Sequence, residues 1–241
     1  MESKNSAYGN FSPEFQEWLK NADIAAIDAM DSMPPAEARK QMAQIEGANP
    51  NMYQGMSYED HPIIAEGVTA RVFRKQDEER GEALKPLVVI FHGGGWMYGG
   101  HTTETRLFRA FVMKLGFVAV NIDYRLAPEF PFPVPFEDCC AGLKWAIGNA
   151  FELGADKDNV FLAGSSAGGN LAAAVAQWAQ KEGLKCIKGQ VLQIPATCHY
   201  RHFPKNRWEL ESYRTLKDVP LLGAEKMSKL WGEYLQRNMK V

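Results

Sequence analysis

Two short runs in this 241-residue chain have the residue types and spacing for acyl chemistry. Gly164-Ser165-Ser166-Ala167-Gly168-Gly169 carries a Gly-x-Ser-x-Gly spacing between an apolar run, Val160 to Ala163, and an alanine-rich stretch from Asn170 to Lys181. Small residues on both sides of Ser166 suit a sharp strand-to-helix turn that exposes a serine hydroxyl as a nucleophile. Upstream, His92-Gly93-Gly94-Gly95-Trp96 follows a second apolar run, Leu87 to Phe91. Glycines there can turn backbone amides toward a substrate carbonyl, and the start of a helix after Ser166 adds its own positive end. The expected oxyanion donors are the amides of Gly94, Gly95 and Ala167, with Gly93 a further candidate member of the hole. His92 stands at the strand end and reads as a brace for that loop. A phosphate-binding loop is the alternative for glycines after a strand, but no Lys-Ser/Thr pair and no dinucleotide fingerprint accompanies these.

Such residues need a rigid frame. Leu87–Phe91, Phe117–Ile122, Val160–Ala163 and Gly189–Ile194 are short apolar runs, as expected of strands covered on both faces. Helical periodicity lies between them, over Thr105–Leu115, Phe136–Ala150 and Asn170–Lys181. This alternation predicts a mainly parallel, doubly wound α/β sheet. Two further strands, Ile63–Ile64 and Val68–Phe73, flank a turn at Glu66-Gly67, and Lys75–Lys85 reads as an exposed turn. Ser12-Pro13-Glu14 is a helix start, and Phe15, Trp18, Leu19, Ala22 and Ala26 follow at helical spacing. Pro34-Pro35 ends that helix and opens another through Gln44. These helices suit either a lid over the sheet or simple packing against it. The expected organisation is an N-terminal helical cap region over 1–58 and a core over 59–241, forming one domain.

Composition narrows the function classes. A net charge of −2 gives no electrostatic reason for nucleic acid or an anionic membrane as partner. The apolar runs are too short to span a bilayer, and Met1–Phe11 lacks the order of a secretory signal. Cys139, Cys140, Cys186 and Cys198 form neither a disulfide framework nor a zinc pattern, so reduced thiols, a cytoplasmic location and no metal are expected.

Four signatures in order resemble the hormone-sensitive-lipase-like branch of the α/β-hydrolase fold. They are His92-Gly-Gly-Gly-Trp96, Asp123-Tyr-Arg-Leu-Ala-Pro-Glu129, Phe130-Pro-Phe-Pro133 and Gly164-Ser-Ser-Ala-Gly-Gly-Asn170. Ile194-Pro-Ala-Thr-Cys-His199 and Leu210-Glu-Ser-Tyr213 are similar to fungal members, some of which act on esters in secondary metabolism. The resemblance implies a carboxylesterase with a helical cap, a small-molecule ester substrate of modest acyl chain, and no cofactor. Arg125 and Glu129 are expected to pair and hold their loop, while Pro131, Pro133 and Pro135 stiffen it.

Two features depart from the family. Ser165 stands where members usually carry an acid. The triad acid and histidine, which in this fold follow the serine, have no match before Val241, so the chain is expected to lack the last strands. Glu182 lies about 24 Å along the helix from Ser166 and cannot serve. His199 is the candidate substitute base, oriented by Asp218 or Glu211; otherwise it lines the cap or faces solvent, and His202 is the only other downstream histidine. No triad acid is identified. Trp96, Phe203 and Trp208 are candidates to shape a pocket, or are packing. With the last strands missing, the strand holding Val191, Leu192 and Ile194 should present an open apolar edge that can pair with a second copy. The alternatives to a serine esterase are a non-catalytic small-molecule binder and an inactive, incomplete product of gene prediction or splicing.

Overall fold

A computed structural model describes residues 12–47, 49, 51–64, 67–77, 83–202, 213, 219 and 221–236. Three helices come first: α1 (Pro13–Asn21), α2 (Ile24–Ser32) and α3 (Pro35–Gly47). The periodicity had suggested one helix over Phe15 to Ala26. Instead the chain breaks at Ala22, and Asp23 caps a new helix by accepting the Ala26 amide at 2.9 Å. An aspartate side chain that satisfies an orphan amide outweighs a continuous apolar stripe.

The sheet has six strands: β1 (Met56–Ile64), β2 (Val68–Lys75), β3 (Lys85–Phe91), β4 (Val118–Asp123), β5 (Ala155–Ser165) and β6 (Ile187–Gln193). Their spatial order is β1-β2-β4-β3-β5-β6. The β1–β2 and β2–β4 pairs are antiparallel, and the remaining pairs are parallel. β1 begins at Met56, three residues before the expected core boundary, and meets β2 around the expected turn, of which Glu66 lies outside the described residues.

Helices cover both faces. α4 (Thr105–Arg109) continues into a wider π-helical turn over Ala110–Lys114, so the expected helix to Leu115 is irregular in its second half. Its Phe108, Phe111 and Val112 pack on Val88, Ile90 and Phe73. α5 (Val134–Gly148) and α6 (Ala167–Lys181) lie on the opposite face, where Leu143, Leu171 and Val175 meet Leu87, Val89 and Phe91. Alternate residues of β3 thus enter two different apolar layers, which is why its sequence is a continuous apolar run rather than an alternating one.

The last helix, α7 (Ala224–Leu235), buries Leu230, Trp231 and Tyr234 against the loops at the carboxyl ends of the strands. Among the described residues β6 is an edge strand, paired only with β5. Val191 is 42% exposed and Ile194, just beyond it, is 76% exposed. Phe203, Trp208, Glu211, Asp218 and Met1–Phe11 lie outside the described residues, as do the middle of the Lys75–Lys85 turn and Leu210 to Ser212 of the fungal-like segment.

Candidate functional site

Ser166 occupies the junction between β5 and α6 with φ 52° and ψ −114°. An L-residue other than glycine rarely adopts such a backbone, and holding it costs of order 1–3 kcal/mol. The surroundings fix it. The Ser166 amide donates to Gln193 O at 2.9 Å, and its carbonyl accepts from Asn170 N at 3.0 Å and Ala196 N at 3.1 Å. The neighbouring glycines are dictated by space. A Cβ on Gly164 would lie 2.8 Å from Phe91 O, and one on Gly168 would lie 2.7 Å from the His92 carbonyl carbon, with the Phe91 and His92 oxygens nearer still. The serine turn and the 92–95 loop are therefore in backbone contact.

The loop's hydrogen bonds can be followed peptide by peptide. The His92 carbonyl accepts from Tyr124 Oη at 2.8 Å, and the Gly93 amide donates to Glu104 Oε1 at 2.9 Å. That first peptide is held at both ends, and the Gly93 amide already has an acceptor in Glu104. The Gly93 carbonyl lies 2.8 Å from His92 Nδ1, which must carry the proton because a carbonyl can only accept. The Gly94 carbonyl accepts from Met97 N at 3.1 Å and Tyr98 N at 2.9 Å. In trans peptides these fixed carbonyls turn the Gly94 and Gly95 amides to the other side. Among the described residues, the amides of Gly94, Gly95 and Ala167 have no hydrogen-bond acceptor.

This path needs a left-handed backbone at Gly94 (φ 109°) and Gly95 (φ 61°). Trp96 shares that conformation at φ 60°, and its ring is locked by stacking on Tyr234 at 4.4 Å and contacting Trp231 at 4.4 Å. A Cβ at Gly95 would lie 2.7 Å from Leu230, so α7 seats directly on the loop.

His92 is fully buried and stacks on Tyr124 at 4.2 Å. Burial pushes its pKa down to about 4, so the ring is neutral near pH 7. Its Nε2 is 3.7 Å from Asp123 Oδ1, and burial pushes Asp123 up to about 6.

A family profile described as alpha/beta hydrolase fold matches residues 88–240, which include both the glycine loop and the serine turn. The chain belongs to the α/β-hydrolase fold family. It is 39% identical over 137 residues to the carboxylesterase NlhH of Mycobacterium tuberculosis, covering 57% of this chain and 41% of that protein. It is 37% identical over 170 residues to the versiconal hemiacetal acetate esterase of Dothistroma septosporum, covering 67% and 50% respectively. The chain thus spans about half the length of the curated relatives it matches. Among solved structures, a hyperthermophilic esterase from the archaeon Pyrobaculum calidifontis superposes with a TM-score of 0.78 at 31% identity, over 94% of this chain and 71% of that one. A fungal esterase from Rhizomucor miehei gives 0.77 at 29% identity, over 93% and 68%.

One expectation for this hydrolase-fold chain is corrected. Arg125 does not pair with Glu129. It forms a two-pronged bond to Asp138, at 2.9 Å and 2.7 Å, and its amide donates to the same carboxylate at 3.0 Å. Asp138 is buried in α5 and needs those donors, whereas Glu129 is partly exposed and takes Arg39 of α3 at 2.8 Å. Arg39 also donates to Met97 O at 2.6 Å and to Ala127 O, tying α3 to the loops that follow β3 and β4.

The substitute base is differently set up from what proton transfer requires. His199 is buried beside Trp231, ring centroids 5.5 Å apart. Its Nδ1 accepts the Arg201 amide at 3.2 Å, so the neutral ring carries its proton on Nε2. That nitrogen is then a donor, opposite to the role a base needs. Burial together with His202 and Arg201 lowers its pKa.

Sequence reasoning singled out neither Glu104 nor Arg39. Glu104 accepts from a backbone amide, and Arg39 donates to two backbone carbonyls besides Glu129; main-chain partners carry no residue-type signal.

Proposed function

We propose that this chain carries the acylation half of a carboxylic-ester hydrolase site. Ser166 is the nucleophile, and the amides of Gly94, Gly95 and Ala167 hold the oxyanion. The observation that carries this reading is the conjunction of a strained serine between strand and helix with three amides that have no acceptor among the described residues. Attack of Ser166 Oγ on the ester carbonyl places negative charge on its oxygen, where the three amides receive it. Collapse breaks the ester C–O bond and expels the alcohol, which leaves with the serine proton; water then adds across the acyl-serine, giving the acid and restoring the serine hydroxyl. Each donor is worth about 3–4 kcal/mol in the transition state. The chemistry uses no cofactor.

The substrate class we infer is a small ester with a short acyl group, in keeping with the acetate ester named for the Dothistroma relative. The four free thiols support a reducing, cytoplasmic setting. Among the described residues no helix is long and apolar enough to cross a membrane. The open β6 edge supports pairing with a second copy. Light scattering that gives a monomer at all concentrations would refute that pairing.

A second reading, a binder of small apolar molecules without turnover, is favoured by one observation: the Arg201 amide fixes the His199 tautomer against proton acceptance. Hydrolysis of p-nitrophenyl acetate by the purified chain separates the two. Turnover abolished by Ser166→Ala supports the esterase. Tight binding of the ester without turnover, unchanged by Ser166→Ala, supports the binder.

A further inference from the structure

We propose that Glu104 is the positioning residue of the oxyanion loop, holding the Gly93 amide out of the hole so that the next two amides face it. Glu104 sits just before α4 and is 8% exposed. Its own carbonyl accepts from Leu107 N at 2.9 Å and Phe108 N at 3.1 Å, so its backbone is tied to the first turn of that helix. Its carboxylate spends this anchoring on the Gly93 amide. A Cβ on Gly93 would lie 3.3 Å from Glu104 Oε1 and 3.0 Å from Ser165 O. Gly93 is therefore wedged between the carboxylate on one side and the serine turn on the other.

The consequence follows from the connectivity. Glycines at 93, 94 and 95 give the loop little intrinsic preference among peptide orientations. What selects one orientation is the set of side chains at its edge. Tyr124 and Glu104 hold the first peptide, and His92 holds the second through the Gly93 carbonyl. Gly99, whose Cβ would lie 2.7 Å from Gly93 O, closes the loop over that bond. Glu104 is the member of this set that comes from outside the strand ends, and it alone fixes an N–H. Without its acceptor the Gly93 amide is buried and unsatisfied. The first peptide then turns to find a partner and carries the Gly94 amide away from Ser166. The acceptor matters here, not the charge. A carboxylate near a developing oxyanion opposes it electrostatically, so an uncharged acceptor of the same reach should serve at least as well.

The test compares three substitutions in the full chain. Glu104→Gln keeps the reach and the acceptor. Glu104→Asp keeps the charge but retracts the acceptor by one methylene. Glu104→Ala removes it. The first measurement is hydrogen exchange of the Gly93 amide by NMR. Protection should persist in Glu104→Gln and fall at least tenfold in Glu104→Asp and Glu104→Ala. The second is the rate at which a fluorophosphonate labels Ser166, which rests on the acyl chemistry proposed above. It should fall at least tenfold in Glu104→Asp and be restored in Glu104→Gln. If Glu104→Ala does not fold, the Asp and Gln variants carry the comparison. Unchanged Gly93 protection in Glu104→Asp overturns the role of Glu104. An unlabelled parent protein with the expected exchange pattern overturns the acyl reading alone.

Discussion

Gly168→Ala is the substitution against which the geometry of the site is most exposed. The added methyl would lie 2.7 Å from the His92 carbonyl carbon, with two carbonyl oxygens of the same strand end closer. Ordinary contact begins near 3.4 Å, so β3 and α6 must separate by at least about 0.7 Å where the serine turn meets the glycine loop. Neither side can give locally. Phe91 is fixed by pairing with Ile122 on one side and Gly164 on the other, and Gly168 lies in the first turn of α6. Overpacking of backbone against backbone belongs at the upper end of the usual 1–3 kcal/mol, so a loss of about 3 kcal/mol is expected. For a chain of this size that is a fall of roughly 6–12 °C in Tm. The same displacement would move the proposed oxyanion donors relative to Ser166, and a shift approaching 1 Å typically costs on the order of 100-fold in rate. Thermal unfolding by circular dichroism measures the first effect, and fluorophosphonate labelling at a temperature where the variant is folded measures the second. A variant that melts within 2 °C of the parent and labels at the parental rate would refute the close approach itself.

Gly232→Ala provides the contrast: the site is exposed in α7 with nothing within 4 Å, so the fold should gain about 0.5–1 kcal/mol in a urea titration, and a loss would contradict the packing of that helix. Arg39→Ala removes three bonds that join α3 to Met97, Ala127 and Glu129, and cleavage within residues 12–47 by a protease should rise roughly tenfold; unchanged cleavage would show that these bonds do not hold α3. Burial holds His92 and His101 at about 4, below the usual 6.5, so each stabilises the fold fully above pH 6.5 and loses that effect as pH falls toward 4. Asp123, raised from 3.8 to about 6, acts in the opposite sense, stabilising below 3.8 and losing that effect as pH rises through 6. Two groups against one should make stability fall between pH 6.5 and 4, more steeply in Asp123→Asn, and a flat profile in urea melts would contradict the burial of the histidines.

The parts of this fold that were legible in the sequence are those where residue type is forced by space or by solvent. Leu87 to Phe91 is apolar throughout because both faces of β3 are covered, and Gly164 and Gly168 lack a side chain because backbone meets backbone around Ser166. The break at Ala22 was hidden because apolar spacing continues across it, and the cap that Asp23 forms emerges only in the folded chain. Arg125 was assigned the wrong acid because sequence proximity favoured Glu129, while burial, which only the packed α5 reveals, favours Asp138. Glu104 and Arg39 were not legible at all. Glu104 serves a main-chain amide and Arg39 two main-chain carbonyls besides Glu129, all brought near by the fold, and a main-chain acceptor or donor is the same at every position.

The most direct measurement of the central claim is mass-spectrometric mapping of a fluorophosphonate adduct on the folded chain. A phosphonyl group added to the peptide containing Ser166, and absent from Ser166→Ala, is the expected result, because the proposed nucleophile and oxyanion donors are the arrangement such a reagent traps. A cooperatively folded chain that stays unmodified at Ser166, or is modified equally after Ser166→Ala, would contradict the assignment of this turn as the nucleophile.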